Sequence, residues 1–292
     1  ARDINAADPR IGYANRAAMD VQVDNPFYNY LTPAVFAGQN RNRARVATKT
    51  LLRPYPQYGG VYEAFQSNQS NRYHALQLKV QRPFQDGYNF LVGYNYRREK
   101  TTGYYDEVDA YLNKLTWLDS SSPHHSASIA GSYELPLGQG RHFLGNMPRA
   151  LDQVIGGWQM VGAWYFNSGN YLVFPAMNVS GDPALDNPTP AKWFDTSKFS
   201  VLPTYTQRTN PRMYPDVKGP IYWDIQASLG KTFKVGETTK FMAKLAAYNL
   251  TNRLNRADPD VSSVTSPTFG TALRQGNALT GRQLEASLKI IF

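Results

Sequence analysis

The chain has 292 residues, 42% of them hydrophobic, no cysteine, and a formal net charge of +9. Those values exclude disulfides, thiolate metal sites and cysteine nucleophiles, and no run approaches the roughly 18 apolar residues of a membrane-spanning helix. They leave open a β-barrel, whose strands alternate apolar and polar residues and so keep mean hydropathy low.

Residues 1–60 show little regular period. They are rich in Asn, Arg, Pro and Ala, with breakers at Asp24-Asn25-Pro26 and Pro54-Tyr55-Pro56. They read as one long irregular loop region with at most short elements. Arg41, Arg43, Arg45, Lys49 and Arg53 are the one concentration of basic charge. It reads as a solvated loop, and no zinc finger or aromatic-rich RNA motif accompanies it, so no nucleic-acid partner is expected.

From Val61 the pattern changes to period two. In Tyr73–Phe84, Leu76, Leu78 and Val80 share one face, and Ala75, Gln77, Lys79 and Gln81 the other. Asp86-Gly87 is a tight-turn dipeptide. The chain returns with Phe90, Val92, Tyr94 and Tyr96 opposite Asn89, Gly93, Asn95 and Arg97. Further alternating runs follow at His125–Pro136, Trp158–Ser168, Tyr222–Phe233, Phe241–Leu250 and Leu284–Phe292. Such runs are long enough to cross a bilayer at a tilt, which takes about 9–11 residues. The 20 tyrosines and 5 tryptophans suit girdles with one dry and one wet side.

The connections alternate in length. Asp86-Gly87 and Val235–Thr238 are tight, Leu137–Ile155 is intermediate, and 100–123, 176–220 and 252–281 are long and polar. Barrels of the outer membrane put short turns in the periplasm and long loops outside. The last strand then descends to the periplasm at Phe292, and counting back gives seven crossings if 61–84 is one strand. An odd count puts residues 1–60 outside the cell. The expected fold is therefore all-β: an antiparallel transmembrane β-barrel of the bacterial outer membrane, present as an incomplete C-terminal part of about seven strands. A turn at Gln69–Arg72 would make eight crossings and permit a small closed barrel.

Gln77, Lys79, Asn95, Arg97, Gln159, Asp224, Gln226, Lys244 and Lys289 are the candidate lumen-facing residues, because they occupy the polar faces of the alternating runs. No catalytic, cofactor-binding or metal-binding residue is assigned, and no cofactor is expected. His124 and His125 are neighbours on one run and so point to opposite faces. Asp106, Glu107 and Asp109 lack the spacing of a calcium loop and read as solvated charge.

The strands and loops also resemble the C-terminal barrel of the Oar-like TonB-dependent outer-membrane receptors, a family with a carboxypeptidase-regulatory-like N-terminal domain. The likeness rests on Tyr73-His74-Ala75-Leu76-Gln77, Tyr133-Glu134-Leu135-Pro136-Leu137-Gly138, Gly156-Gly157-Trp158-Gln159 with Ser168-Gly169, and Trp193-Phe194-Asp195-Thr196-Ser197-Lys198-Phe199. Tyr248-Asn249-Leu250-Thr251-Asn252, Phe269-Gly270 and the run from Arg282 to Phe292 complete the series. Asp195, Lys244 and Ala246 depart from the family's usual Asn, Arg and Glu. The resemblance implies a barrel of roughly 22 strands closed around a plug, with the plug, the upstream strands, outer-membrane lipid and TonB as partners. It implies active import of a large solute without catalysis, and a role for Phe292 as the terminal signal read by barrel-assembly machinery. The rival readings are a small structural or adhesion barrel without transport, an outer-membrane enzyme and a soluble sugar-binding sandwich.

Overall fold

A computed structural model describes residues 2–30, 32, 34, 38–235, 239–276 and 281–292. Seven long strands form one antiparallel sheet: β1 (Asn71–Gln85), β2 (Tyr88–Gly103), β3 (His125–Glu134), β4 (Trp158–Asn167), β5 (Tyr222–Val235), β6 (Thr239–Tyr248) and β7 (Gln283–Ile291). Sequence neighbours are sheet neighbours from β1 to β7, and a short strand, Thr116–Asp119, extends the far end of β2. The sheet is open: among the described residues β1 and β7 each pair on one side only. No described helix is long and apolar enough to cross a membrane.

The turns explain the meander. Asp86 and Gly87 both have positive φ, 54° and 85°. That is the mirror-image turn whose twist matches the right-handed twist of paired strands. At the next tight connection the register runs to Val235 opposite Thr239; the remainder of the expected Val235–Thr238 turn lies outside the described residues. The third short-side connection, between β3 and β4, carries a helix, Arg149–Ile155.

Directly paired residues lie on the same face of a sheet, so the register sorts every side chain. One row runs Leu78, Tyr94, Ala127, Phe166, Trp223 across five strands, and the next in the same face runs Val80, Val92, Ile129, Trp164, Ile225. The opposite face carries Gln77, Asn95, Ser126, Asn167, Tyr222, then Lys79, Gly93, Ser128, Tyr165, Asp224. Away from Lys231, which the β3–β4 connection covers, the described residues leave the apolar face largely bare: Leu78, Val80, Leu284 and Leu288 are 54%, 58%, 67% and 68% exposed.

Among the described residues, the large cluster of buried apolar side chains is not in the sheet. Leu172, Phe174, Met177, Phe194, Phe199, Tyr214, Val217 and Phe269 come from the β4–β5 and β6–β7 loops. Phe174 stacks on Phe199 at 5.3 Å and meets Phe194 and Tyr214 edge-on. Segments expected only as long polar loops thus fold as a packed cap.

The first crossing is shorter than the expected 61–84 strand. It begins at Asn71, while Tyr62-Glu63 pairs with Arg2-Asp3 instead. The Asp3 carboxylate accepts from the Val61 and Asn5 amides, holding that ladder away from the wall. Gln69–Arg72 is not a turn between two crossings; β1 simply starts within it.

Residues 2–63 have short helices at Pro9–Ala14, Arg16–Met19 and Thr48–Leu51, and a ladder between Gln22–Asp24 and Arg45–Ala47. Asparagine side chains substitute for secondary structure here. Asn5 donates to the Tyr55 and Gly59 carbonyls and accepts from the Tyr55 amide, and Asn25 donates to the Asn40 and Arg43 carbonyls. Buried backbone groups must find such partners, which accounts for the asparagine content. The basic run is drawn into the same scaffold: Arg45 donates to the Gln22 carbonyl, Lys49 pairs with Asp20, and Arg53 donates to the Gly59 carbonyl.

Candidate functional site

The polar face of the sheet is the surface on which chemistry can be arranged. All nine candidate residues fall on it. Gln77 lies opposite Asn95, and Arg97 stands two residues beyond Asn95 on β2. Lys79 is in the row that ends at Asp224, and Gln226 follows on the same side of β5. Gln159 faces Gly230, Gly230 faces Lys244, and Lys289 stands opposite Met242, one face-sharing step from Lys244. A hollow of about 650 Å³ lies against this face, lined among others by Asn89, Ser132, Gln226, Ser228 and Lys244.

Asp224 differs from its neighbours. It is 3% exposed, accepts from Gln226 Nε2 at 3.1 Å, and its Oδ1 has no hydrogen-bond partner. A buried carboxylate oxygen left unsatisfied is costly, so the position is suited to a donor from another chain segment or a solute. Beside it, the Asn255 side chain accepts from the Trp223 amide and donates to the Trp223 carbonyl, pinning the β6–β7 loop to the top of β5.

The cap closes over the same end. Trp193 donates from its backbone to the Gly270 carbonyl at 2.7 Å and from its indole to the Lys218 carbonyl at 2.6 Å. Gly270 has φ 77°, and a Cβ there would meet the Thr196 methyl at 2.3 Å, so only glycine fits. Asp260 accepts from the Ser262 amide and from the hydroxyls of Ser262, Ser266 and Thr268, the last three at 2.6 Å. Those hydrogen bonds, Ser262 first, hold its carboxyl far below the usual carboxylate range. Burial pushes the Tyr214 hydroxyl up to about 12.

Residues 2–63 dock on this cap. Lys49 Nζ bonds Asp20 and Tyr205, both at 2.7 Å, and the Tyr205 hydroxyl donates to Asp20 at 2.6 Å. The Lys49 hydrogen bond, followed by that of Tyr205, lowers the Asp20 carboxyl and in turn raises Lys49. Tyr13 donates to Glu107 at 2.6 Å, and Arg2 donates to the Ala110 and Tyr111 carbonyls. Asp106 caps the short helix Glu107–Tyr111 by accepting from the Asp109 amide. The acidic trio is therefore structural: it ties the β2–β3 loop to its neighbours. Sequence reasoning missed these links because partners such as Asp20 and Tyr205 lie far apart in the chain and carry no local pattern.

The histidine pair divides as its alternation requires. His125 Nδ1 pairs with the Tyr94 hydroxyl at 2.8 Å, and His124 Nδ1 with the Tyr171 hydroxyl at 3.0 Å. Among the described residues no group of three or more His, Cys, Asp or Glu could hold a metal.

Lys231 also stands on the apolar face, at the short-turn end of β5. Lys231 lies beneath the β3–β4 connection, where its ammonium donates to the Asp152 and Gly156 carbonyls at the end of helix Arg149–Ile155. Cations are favoured at a helix C-terminus, and a long lysine stem can reach one while its carbons stay apolar. The aromatic rings of Phe233 and Trp158 flank it.

An up-and-down antiparallel sheet with a largely exposed apolar face and a polar face opposite is the wall of a transmembrane β-barrel. The comparison with known families agrees: a model described as "Outer membrane beta barrel domain" matches residues 2–285. The chain belongs to that family and is a protein of the bacterial outer membrane. No curated protein and no solved structure matches it.

Proposed function

We propose that this chain forms wall and ligand-capturing loops of a TonB-dependent outer-membrane receptor that imports a large solute. The observation that supports this most is the placement of all nine candidate residues on the polar face, where Gln226 and Lys244 line a hollow of about 650 Å³. In this reading the polar face lines the lumen, and Gln77, Lys79, Asn95, Arg97, Gln159, Asp224, Gln226, Lys244 and Lys289 contact a plug domain or the passing solute. Upstream strands pair with the free edge of β1 and close the barrel, and TonB acts on the plug. Residues 1–60 lie outside the cell with the cap, to which Asp20, Lys49 and Tyr205 fasten them. Phe292, 93% exposed after β7, serves as the assembly signal.

The packed cap also favours a second reading, a small structural or adhesion barrel, since a rigid outer surface suits either role. The intact mass of the protein from native outer membrane separates the two. A mature chain several times longer than 292 residues, carrying this sequence at its C-terminus, supports the receptor. A mature chain of this length alone contradicts it and puts the structural barrel first.

A further inference from the structure

The apolar face of β1 and β2 ends differently at its two margins. Its middle is three apolar rows, Leu76–Tyr96, Leu78–Tyr94 and Val80–Val92. At the short-turn margin stands Arg82, which is neutralised by Asp86 at 2.8 Å and stacks over Tyr88 at 4.3 Å. At the long-loop margin the next two rows are His74–Arg98 and Arg72–Lys100. Only Lys100 has a carboxylate, Asp119 at 3.4 Å. Arg72 lies over the Trp117 ring at 4.6 Å, and the Arg98 guanidinium has no hydrogen bond or ion pair among the described residues. These side chains surround a recess of about 620 Å³ whose floor includes Leu76 and Tyr96.

A surplus of arginine immediately above an apolar band requires an anion whose other end is apolar. Arginine matches phosphate because its planar fork donates two parallel hydrogen bonds. Aromatic floors of this kind sit at the level where headgroups meet acyl chains. We propose that this recess docks the phosphorylated headgroup of an outer-leaflet glycolipid, with Arg72 and Arg98 on the phosphate and acyl chains lying along Leu76, Leu78 and Val80. The site is on the lipid side of the wall, separate from the polar face, and it rests on the reading that the long loops point out of the cell.

The test uses protein purified from outer membrane in mild detergent, with bound lipid read by native mass spectrometry. The probes are bisphosphorylated lipid A, the same lipid stripped of phosphate, phosphatidylglycerol and inorganic phosphate. Lipid A is expected to bind, and the paired change Arg72→Gln with Arg98→Gln should weaken it by roughly tenfold or more. Loss of the lipid's phosphates should do the same, and Arg98→Lys should restore part of the binding to an Arg98→Gln protein. Heat-modifiable gel mobility checks that each variant is folded. Equal binding of the dephosphorylated lipid, an unaffected double variant, or competition by equimolar inorganic phosphate would each overturn the proposal. Preference for phosphatidylglycerol would also overturn it. An Asp186→Cys protein labelled on intact cells with an impermeant maleimide then identifies the fault: labelling means that the docking is wrong, and no labelling means that the orientation is wrong.

Discussion

The wall and the cap of this molecule solve opposite packing problems with similar residues. The wall leaves Leu76, Leu78, Val80, Leu284 and Leu288 exposed on its apolar face, while the cap buries Phe174 and Phe194 to 1% and 0% exposure. In the wall, backbone pairing satisfies the five inner strands on both sides and β1 and β7 on one, and lipid supplies the apolar solvent. In the cap there is little regular pairing, so water must be excluded by side-chain packing, with asparagine, serine and aspartate side chains meeting the backbone. The lesson is that an apolar residue here has a meaning set by its region: bilayer contact in one, core in the other.

The largest difference is expected from removing a cap aromatic. Phe174→Ala leaves a void among Phe194, Phe199 and Tyr214 and should cost about 3–5 kcal/mol of local stability. Proteolysis of the β4–β5 loop should rise steeply while the heat-modifiable shift of the barrel persists. Loss of the barrel shift together with the cap would mean that the two regions are not separate units.

A charge placed on the wall sharpens the same contrast. Leu78→Arg should destabilise the protein in bilayers by about 2–4 kcal/mol, as mid-membrane lipid-facing arginine does. Gln77→Arg, one residue away on the polar face, should cost far less. Refolding titrations into vesicles compare the two, and equal costs would break the assignment of faces.

The period-two runs made the wall legible, because burial on one side only leaves a strict alternation, as in Leu76, Leu78 and Val80 against Gln77 and Lys79. The start of β1 was not legible. Val61 to Ser70 continues an alternating look, but Asp3 captures that segment through a contact with a residue far upstream. The cap was not legible either: Leu172, Phe174, Met177, Phe194 and Phe199 have no common period, so their convergence depends on loop geometry alone. The nine polar-face residues followed from parity, whereas the buried, half-satisfied state of Asp224 depends on three-dimensional packing that carries no local pattern. Lys231 ran against the pattern, since its partner is the end of a helix from a different connection.

A smaller effect is expected at Asp260. Asp260→Ala removes four accepted hydrogen bonds and should loosen the β6–β7 loop by roughly 1–3 kcal/mol, the range for bonds to a charged group. The folded carboxyl lies below its unfolded value of about 3.9. Its contribution is therefore complete above that value and is lost as pH falls through the folded one. Hydrogen exchange in residues 258–271 should be flat from neutral pH to about pH 4 and should accelerate only in stronger acid, after correction for intrinsic rates.

The smallest effect is expected where the N-terminal segment meets the cap. Tyr205→Phe removes one donor to Asp20 and one acceptor for Lys49 at an exposed site, so global stability should be unchanged within error. Cleavage near residues 15–20 should still increase modestly. An unchanged digestion pattern would mean that packing of Gly12 against the Tyr205 ring, rather than the polar triad, holds the segment.

One face of the seven-strand sheet is expected to meet lipid and the other to meet water. The chain has no cysteine, so single cysteines can be introduced at Leu76, Gln77, Leu78, Lys79 and Val80 in turn and reacted, in native outer membrane, with a water-soluble maleimide. Labelling is expected at positions 77 and 79, with protection at 76, 78 and 80. Uniform labelling along the strand, or the reverse alternation, would contradict it.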